Sequence, residues 1–117
     1  MARQLSGAEL IAKERRRQIE KEGWTAEHDD DLALGTLTAS AVCYSLDTIS
    51  RFEAYKFSKR MPAIQEIAYC FWPWKRSEFK PTPDDPIREL TKAGALIAAE
   101  IDWLQRIDQN KLKNLIE

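Results

Sequence analysis

Residues 86–108, PIRELTKAGALIAAEIDWLQRID, carry the longest apolar periodicity in the sequence. It predicts one long helix, because Asp85 suits the N-cap position and Pro86 the first helical position. One apolar stripe of this helix consists of Ile87, Leu90, Gly94, Ile97, Ala98, Ile101 and Leu104. A second stripe on nearly the opposite side consists of Leu96, Trp103 and Ile107. Two apolar faces predict either a partner chain or, within the monomer, a helix covered by Trp103.

The preceding segment, WPWKRSEFKPTPDDP at residues 72–86, carries four of the five prolines. Prolines at this density exclude regular structure and predict a stiff, extended loop. Before the loop, a short helix that ends near Phe71 is predicted by apolar residues at helical spacing: Ile64, Ile67, Ala68 and Phe71. Residues 46–61 fit a helix, although their aromatic residues also suit a strand.

The first half of the chain predicts two further helices. Ser6 and Glu9 form a capping box for a helix that runs to about Lys21 and stops at Gly23. The second helix, about residues 30–45, is apolar nearly all round and is therefore expected at the centre. We predict an all-α fold: one domain over residues 1–117, a compact bundle of four or five helices with a Pro/Trp-rich loop before the long C-terminal helix.

Composition limits the class of protein. The 117 residues are 44% hydrophobic and carry 18 basic and 19 acidic side chains, a net charge of −1. This balance argues against a DNA-coating protein and against disorder, so we expect no sequence-specific nucleic-acid partner. No apolar run approaches the roughly 18 to 20 residues of a membrane span, and the N-terminus lacks a signal core. Cys43 and Cys70 suit reduced thiols, and a cytoplasmic protein is expected.

No standard catalytic motif is present, and the first cluster of interest is acidic. Carboxylates at Glu27, Asp30 and Asp31, joined by Glu100 from the last helix, are candidate Mg²⁺ ligands. The simpler interpretation is that acidic residues at a helix N-terminus cap the helix and face water. His28, the single histidine, is a candidate ligand-binding residue or another capping residue.

The second cluster joins aromatic and cationic side chains. Aromatic faces beside cations offer what a nucleobase and its phosphate require, stacking and charge-assisted hydrogen bonds. The alternative is that the tryptophans only hold the loop against the bundle. Arg15 lies in an apolar arc with Gln18 one turn away, and its charge needs Glu22, Asp30, Glu100 or an anionic ligand as partner. The candidate ligand-binding residues are Arg15, Gln18, Trp24, His28, Trp72, Trp74, Lys75 and Arg76.

Several segments resemble a widespread group of small helical phage and prophage proteins. They are EGWTAEHDD (22–30), WPW (72–74) and KAGALIAAEI (92–101). The resemblance covers about two thirds of the chain and omits residues 46–68. It implies a protein of the infected bacterial cytoplasm, without defining an activity.

The chain also resembles, more weakly, the all-α MazG-like nucleotide pyrophosphohydrolases. Those enzymes hold Mg²⁺ through ExxE and ExxD carboxylates on two helices. Here Gly35-Thr36-Leu37 stands where Gly-Glu-Leu is expected, and Glu100 and Asp102 lack the ExxD spacing. The resemblance therefore implies a nucleotide pocket with a weakened metal site.

Three functions follow as hypotheses. The first is a phage protein that sequesters a phosphorylated nucleotide, such as a cyclic immune signal, without cleaving it and without a cofactor, by analogy with phage sponge proteins. The alternative is a Mg²⁺-dependent MazG-like pyrophosphohydrolase. The second alternative is a protein–protein interaction module. In the first, the C-terminal helix is expected to form a homo-oligomer through Leu96, Trp103 and Ile107.

Overall fold

The computed structural model describes residues 3–52 and 61–116, and all regular structure in these ranges is helical. This confirms the all-α prediction. The α-helices, in chain order, are α1 (Gly7–Lys21), α2 (Ala26–Asp30), α3 (Thr36–Arg51), α4 (Met61–Phe71), α5 (Pro86–Arg106) and α6 (Gln109–Ile116).

Helix α1 begins and ends as its sequence predicts. The Ser6 hydroxyl accepts a hydrogen bond from the Glu9 amide, and the Glu9 carboxylate accepts one from the Ser6 amide. Gly23, with φ of 73°, takes the left-handed conformation that lets the chain turn away from the helix.

The second predicted helix, residues 30–45, is wrong in its boundaries. Ala26–Asp30 forms the separate helix α2, and α3 begins only at Thr36. The break centres on Gly35, whose φ of 91° cannot continue a right-handed helix. Helix α3 then runs six residues beyond Ser45 to Arg51, so the start of the ambiguous stretch is helical. The helix predicted for the rest of that stretch falls mostly on residues 53–60, outside the described residues.

Helix α3 is central, as predicted, because it packs against both α4 and α5. Its inward face combines apolar and small polar residues. The core cluster consists of Leu37, Ala41, Tyr44, Ala93, Leu96 and Ala99. Buried alanines on α5 allow its axis to approach α3 closely.

The two apolar stripes of α5 differ in their exposure to solvent. Leu96 is 2% exposed and belongs to the core of the single chain, so it is unavailable to the predicted oligomer face. On the other stripe Ile87, Leu90, Ile97 and Ile101 are 43–65% exposed, although a continuous stripe usually faces a core. The small residues Ala93, Ala95 and Ala99 occupy the inner face instead.

Helix α1 lies close to α5 at Gly94. A Cβ atom at this position would lie 2.5 Å from Cδ1 of Ile11, so the glycine permits the contact. This approach brings the polar side chains of α1 next to those of α5, and it defines one side of the site described below.

The loop between α4 and α5 contains the 3₁₀ turn Arg76–Glu78. The prediction that this segment has no regular structure is therefore wrong. The prolines flank this turn and leave three residues free to form it. Asp85 caps α5 through the Arg88 amide, as predicted. Helix α5 ends at Arg106, two residues before the predicted end, and α6 follows.

Candidate functional site

Aromatic side chains from three parts of the chain line one cavity, which we call the aromatic cavity. Its volume is about 190 Å³. Its described lining consists of Trp24, His28, Tyr44, Trp72, Trp74, Glu78 and Leu96. Trp24 lies 6.3 Å from Trp74, measured between ring centroids, and its ring is nearly parallel to that of His28.

The loop tryptophans are held by packing and by one hydrogen bond. Trp72 packs on Phe79 at 4.8 Å and meets Tyr44 edge-on at 5.7 Å between ring centroids. Its indole N–H donates to the carbonyl of Lys75 at 2.8 Å. Trp72 and Trp74 pack against the core cluster while lining the cavity. They therefore anchor the loop and also form a binding wall.

A buried carboxylate orients His28. Asp29 is fully buried and lies 2.9 Å from Nδ1 of the imidazole. Because a carboxylate oxygen accepts hydrogen bonds, this contact favours a proton on Nδ1, and Nε2 is then the acceptor of the neutral tautomer. The Thr25 side chain caps the short helix that carries both residues.

Arg15 contacts both the Asp29 carboxylate and the backbone of Trp24. Its Nη2 lies 3.5 Å from the Asp29 carboxylate and its Nη1 donates to the carbonyl of Trp24 at 3.3 Å. Its Nε is 3.7 Å from Asp102. The partners expected for Arg15 were Glu22, Asp30 or Glu100, and that prediction is wrong. Arg15 holds the backbone and carboxylate beside the aromatic cavity without lining it.

A second cavity of about 360 Å³ adjoins the first, and we call it the polar cavity. The two share four lining residues: Trp24, Tyr44, Glu78 and Leu96. The other described residues lining it are Glu14, Arg17, Gln18, Glu22, Ser77, Lys80, Arg88 and Lys92. Four of these twelve side chains are cationic and three are carboxylates, so the cavity carries a small positive excess.

Glu14 fixes two arginines of the polar cavity. It is 3% exposed and receives paired hydrogen bonds from Arg17, at 2.8 and 3.0 Å, and from Arg88, at 2.6 and 3.2 Å. Burial alone would raise the pKa of Glu14, but the two guanidinium groups outweigh burial and hold its pKa below the ordinary value. Arg17 also donates to Glu22 at 3.0 Å, so Glu14 is shared by both arginines while Arg17 has a second carboxylate partner.

Lys92 of α5 lines the polar cavity. Its Nζ donates to the carbonyl of Lys80 at 2.9 Å and lies 5.1 Å from the ring centroid of Tyr44. Burial and the nearby Arg88 lower the pKa of Lys92, because both disfavour a second positive charge. Two of the three ammonium hydrogens remain for an anion, since the described contacts use one.

Gln18 is 2% exposed and lines the polar cavity. Its Nε2 lies 3.5 Å from Glu14, while its buried Oε1 accepts no hydrogen bond from the described residues. The backbone carbonyl of Gln18 accepts from the amide of Trp24, which ties α1 to the aromatic wall.

The structure brings together five of the eight predicted ligand-binding residues. Gln18, Trp24, His28, Trp72 and Trp74 line the joined cavities. Arg15 lies behind them. Lys75 is exposed and lines neither cavity, and Arg76 lies over the ring of Tyr69 in a separate cavity.

The alternative metal set is dispersed. Asp30 is paired with Arg106 at 2.7 Å, and Glu100 accepts hydrogen bonds from Thr38. Glu27 and Asp31 are exposed. Within residues 3–52 and 61–116, no three His, Cys, Asp or Glu side chains converge in a metal-binding group.

Sequence reasoning missed Arg17, Tyr44, Arg88 and Lys92. One signal was present: Arg88 and Lys92 lie two turns and one turn before Leu96 at four-residue spacing, so they share its helix face. The contribution of Arg17 depends on how α1 crosses α5, which no local pattern specifies.

Comparison with protein-family models, curated proteins and solved structures finds no match. None of the helices in the described part of the chain is both long and apolar enough to span a membrane.

Proposed function

We propose that this protein binds a phosphorylated nucleotide, with the base in the aromatic cavity and phosphate in the polar cavity. The observation that carries this proposal is the junction of the two cavities along Trp24, Tyr44, Glu78 and Leu96. A nucleotide has the same division, a flat ring at one end and negative charge at the other.

The aromatic cavity suits a base because its walls are rigid rings with few polar groups. Trp24 and Trp74 offer faces for stacking, an interaction worth about 1–3 kcal/mol per base. The carboxylate of Glu78, and Nε2 of His28 in its neutral Nδ1-protonated form, can accept hydrogen bonds from amino or ring N–H groups of a base.

The polar cavity suits phosphate because its cations are held before a ligand arrives. Arg17 and Arg88 are fixed by Glu14, and Lys92 is fixed by the Lys80 carbonyl. Such preorganisation reduces the entropy lost on binding. The Glu14 carboxylate also limits the net attraction, so the site favours a small anion over an extended polyanion.

Binding without cleavage is the form of the function that these residues support. Burial raises the pKa of Cys43 to about 11, so its thiol is a poor nucleophile at neutral pH. The dispersed Asp30 and Glu100 carboxylates lack the convergence that a shared metal ion requires. The narrower proposal is a phage protein that sequesters a signalling nucleotide.

A retention assay tests this function. The purified protein is incubated with linear and cyclic nucleotides and Mg²⁺, the free fraction is filtered off, and the bound fraction is released by heat and chromatographed. Intact nucleotide in the released fraction is expected. Conversion to monophosphate and pyrophosphate would instead support a pyrophosphohydrolase. Retention of no nucleotide would contradict the proposal.

A matched pair of variants makes the assay specific. Lys92→Gln removes a cation from the cavity, whereas Lys113→Gln removes an exposed one from α6. We expect retention to fall in the first variant only. Equal retention by both variants would remove Lys92 from the site.

A second proposed property is self-association through the exposed stripe of α5. Ile97 and Ile101 are 43% and 50% exposed on a helix whose opposite face is already buried. Apolar surface of this kind is favourable to bury against a second copy. Sedimentation velocity of Ile97→Glu is expected to show dissociation, with Ile116→Glu on α6 as control. A monomeric native protein would contradict this property.

A further inference from the structure

A third cavity lies beside the tryptophan pair, and we call it the flanking cavity. Its volume is about 240 Å³. Trp72 and Trp74 line it together with Tyr69, Cys70 and Arg76. The same two tryptophans line the aromatic cavity, but the remaining described lining residues of the two cavities differ. The tryptophan pair therefore forms a wall between two separate spaces.

Arg76 and Tyr69 give the flanking cavity its own chemistry. The guanidinium carbon of Arg76 lies 3.9 Å from the ring centroid of Tyr69. Stacking on a ring uses the face of the guanidinium and leaves the N–H groups at its edges to reach an anion. Tyr69 is itself held edge-on against Phe79 at 6.2 Å between ring centroids. The cavity thus combines fixed aromatic surface with a cation.

Both sides of the wall consequently offer aromatic surface near positive charge. Trp72 and Trp74 meet at 81° with ring centroids 5.3 Å apart, so their ring surfaces point in different directions. A mononucleotide in the aromatic and polar cavities leaves the flanking cavity empty. A ligand with a second base linked to the first has a complementary place for it.

We infer that the ligand is a dinucleotide, two bases joined through phosphate, with one base on each side of the Trp72–Trp74 wall. The first base lies in the aromatic cavity, the second stacks in the flanking cavity, and the edge of Arg76 meets the linking phosphate. This inference rests on the proposed function and assigns Arg76 to the linking phosphate rather than to the phosphate in the polar cavity. A two-base segment of single-stranded nucleic acid has the same chemistry, but the net charge of −1 favours a small molecule.

Calorimetric titration with AMP and with the phosphorylated diadenylate pApA tests the inference. We expect pApA to bind the native protein at least tenfold more tightly than AMP. Arg76→Ala should remove most of this advantage and change AMP affinity less than twofold. Lys75→Ala is the matched control, because Lys75 is the adjacent exposed cation and lines none of the three cavities.

The outcomes separate the two proposals. Equal affinities for AMP and pApA, or equal losses for both in Arg76→Ala, would overturn the two-base inference while leaving nucleotide binding in place. Failure of both probes to bind would overturn the proposed function as well. A deoxyadenylate decamer that binds far more tightly than pApA, with affinity falling steeply in salt, would overturn the assignment to a small molecule.

Discussion

The aromatic and polar cavities are neighbours, yet they are built in different ways. The walls of the aromatic cavity come mainly from two loops whose tryptophans pack on the core. The charges of the polar cavity come mainly from α1 and α5, with Glu78 and Lys80 added by the loop. The two helices meet where Glu14 pairs with Arg88, 74 positions away in sequence. The aromatic cavity depends on how two loops dock on the core, and the polar cavity depends mainly on the crossing of two helices.

This difference shows where affinity is determined. Stacking surface in the aromatic cavity tolerates any planar ring, whereas the cations of the polar cavity are directed by specific partners. We therefore expect substitutions in the polar cavity to have the larger effects.

Replacement of Lys92 is expected to weaken nucleotide binding the most. Lys92→Gln removes a charge-assisted hydrogen bond worth about 1.5–3 kcal/mol, or roughly 10- to 100-fold in affinity. Because burial and Arg88 lower the pKa of Lys92, affinity in the native protein should also decline at a lower alkaline pH than for an ordinary lysine. Calorimetry with AMP across pH measures both effects. An unchanged pH profile in the variant would contradict this role.

Replacement of Glu14 is expected to affect stability. Glu14→Gln removes the carboxylate that Arg17 and Arg88 share, and Arg17 keeps Glu22 as a partner. The two arginine side chains are 40% and 35% exposed, so water also recovers part of the loss. We expect a loss of about 2 kcal/mol in the free energy of unfolding, less than for a fully buried pair. Urea denaturation measures it.

Glu9→Gln is the control for Glu14, because Glu9 also pairs with an arginine but at the surface. This variant should unfold at the same urea concentration as the native protein. If both variants lose equal stability, burial does not distinguish the two carboxylates.

Replacement of Trp24 is expected to weaken binding of the base about tenfold, in line with the loss of one stacking contact. Trp24→Leu keeps an apolar side chain beside the core and removes the ring face. Binding of ribose 5-phosphate, which has no base, should remain unchanged. Equal losses for AMP and ribose 5-phosphate would mean that Trp24 supports the fold of both cavities and does not stack on the ligand.

Replacement of Glu89 is expected to have the smallest effect on stability. Its pKa is shifted in the opposite direction to that of Glu14. Glu89 is 1% exposed and accepts hydrogen bonds from the Thr48 hydroxyl at 2.6 Å and the Thr82 amide at 2.9 Å. Burial, helped by Asp47, raises its pKa above the ordinary 4.5. A raised pKa favours folding while the group is protonated, so this contribution is lost as pH rises through the folded-state pKa.

Urea denaturation at a series of pH values above 4.5 tests this contribution. The native protein should lose stability as pH rises through the raised pKa, and Glu89→Gln should flatten that part of the profile. Glu14, whose pKa is lowered, acts with opposite sign and below 4.5, so the two windows do not overlap. The same slope in both proteins would contradict the assignment to Glu89.

The parts of the fold that sequence predicted are those set by local signals. The Ser6 and Glu9 capping box and the Asp85 cap each depend on residues three positions apart, and both are present. The break at Gly35 was missed because apolar periodicity continues across it. The buried face of α5 was misassigned because close helix packing selected its alanines over its isoleucines.

The residues of the site likewise fall into those that local sequence predicts and those that only the folded chain brings together. Trp72 and Trp74 were predicted because aromatic residues in a proline-rich loop are conspicuous, whereas Lys92 looked like an ordinary helix-surface residue. Arg15 was expected to need a partner, and only the folded chain identifies Asp29 and Asp102. Side chains that converge from distant helices require the helix crossing to be known.

If the two cavities hold one ligand molecule, the two halves of that ligand compete with the whole. AMP, adenosine and inorganic phosphate are titrated separately and then in pairs by calorimetry. We expect one AMP per chain, with adenosine and phosphate each binding at least tenfold more weakly and each displaced by AMP. Adenosine that binds undiminished in the presence of saturating AMP, or AMP that does not bind at all, would contradict this expectation.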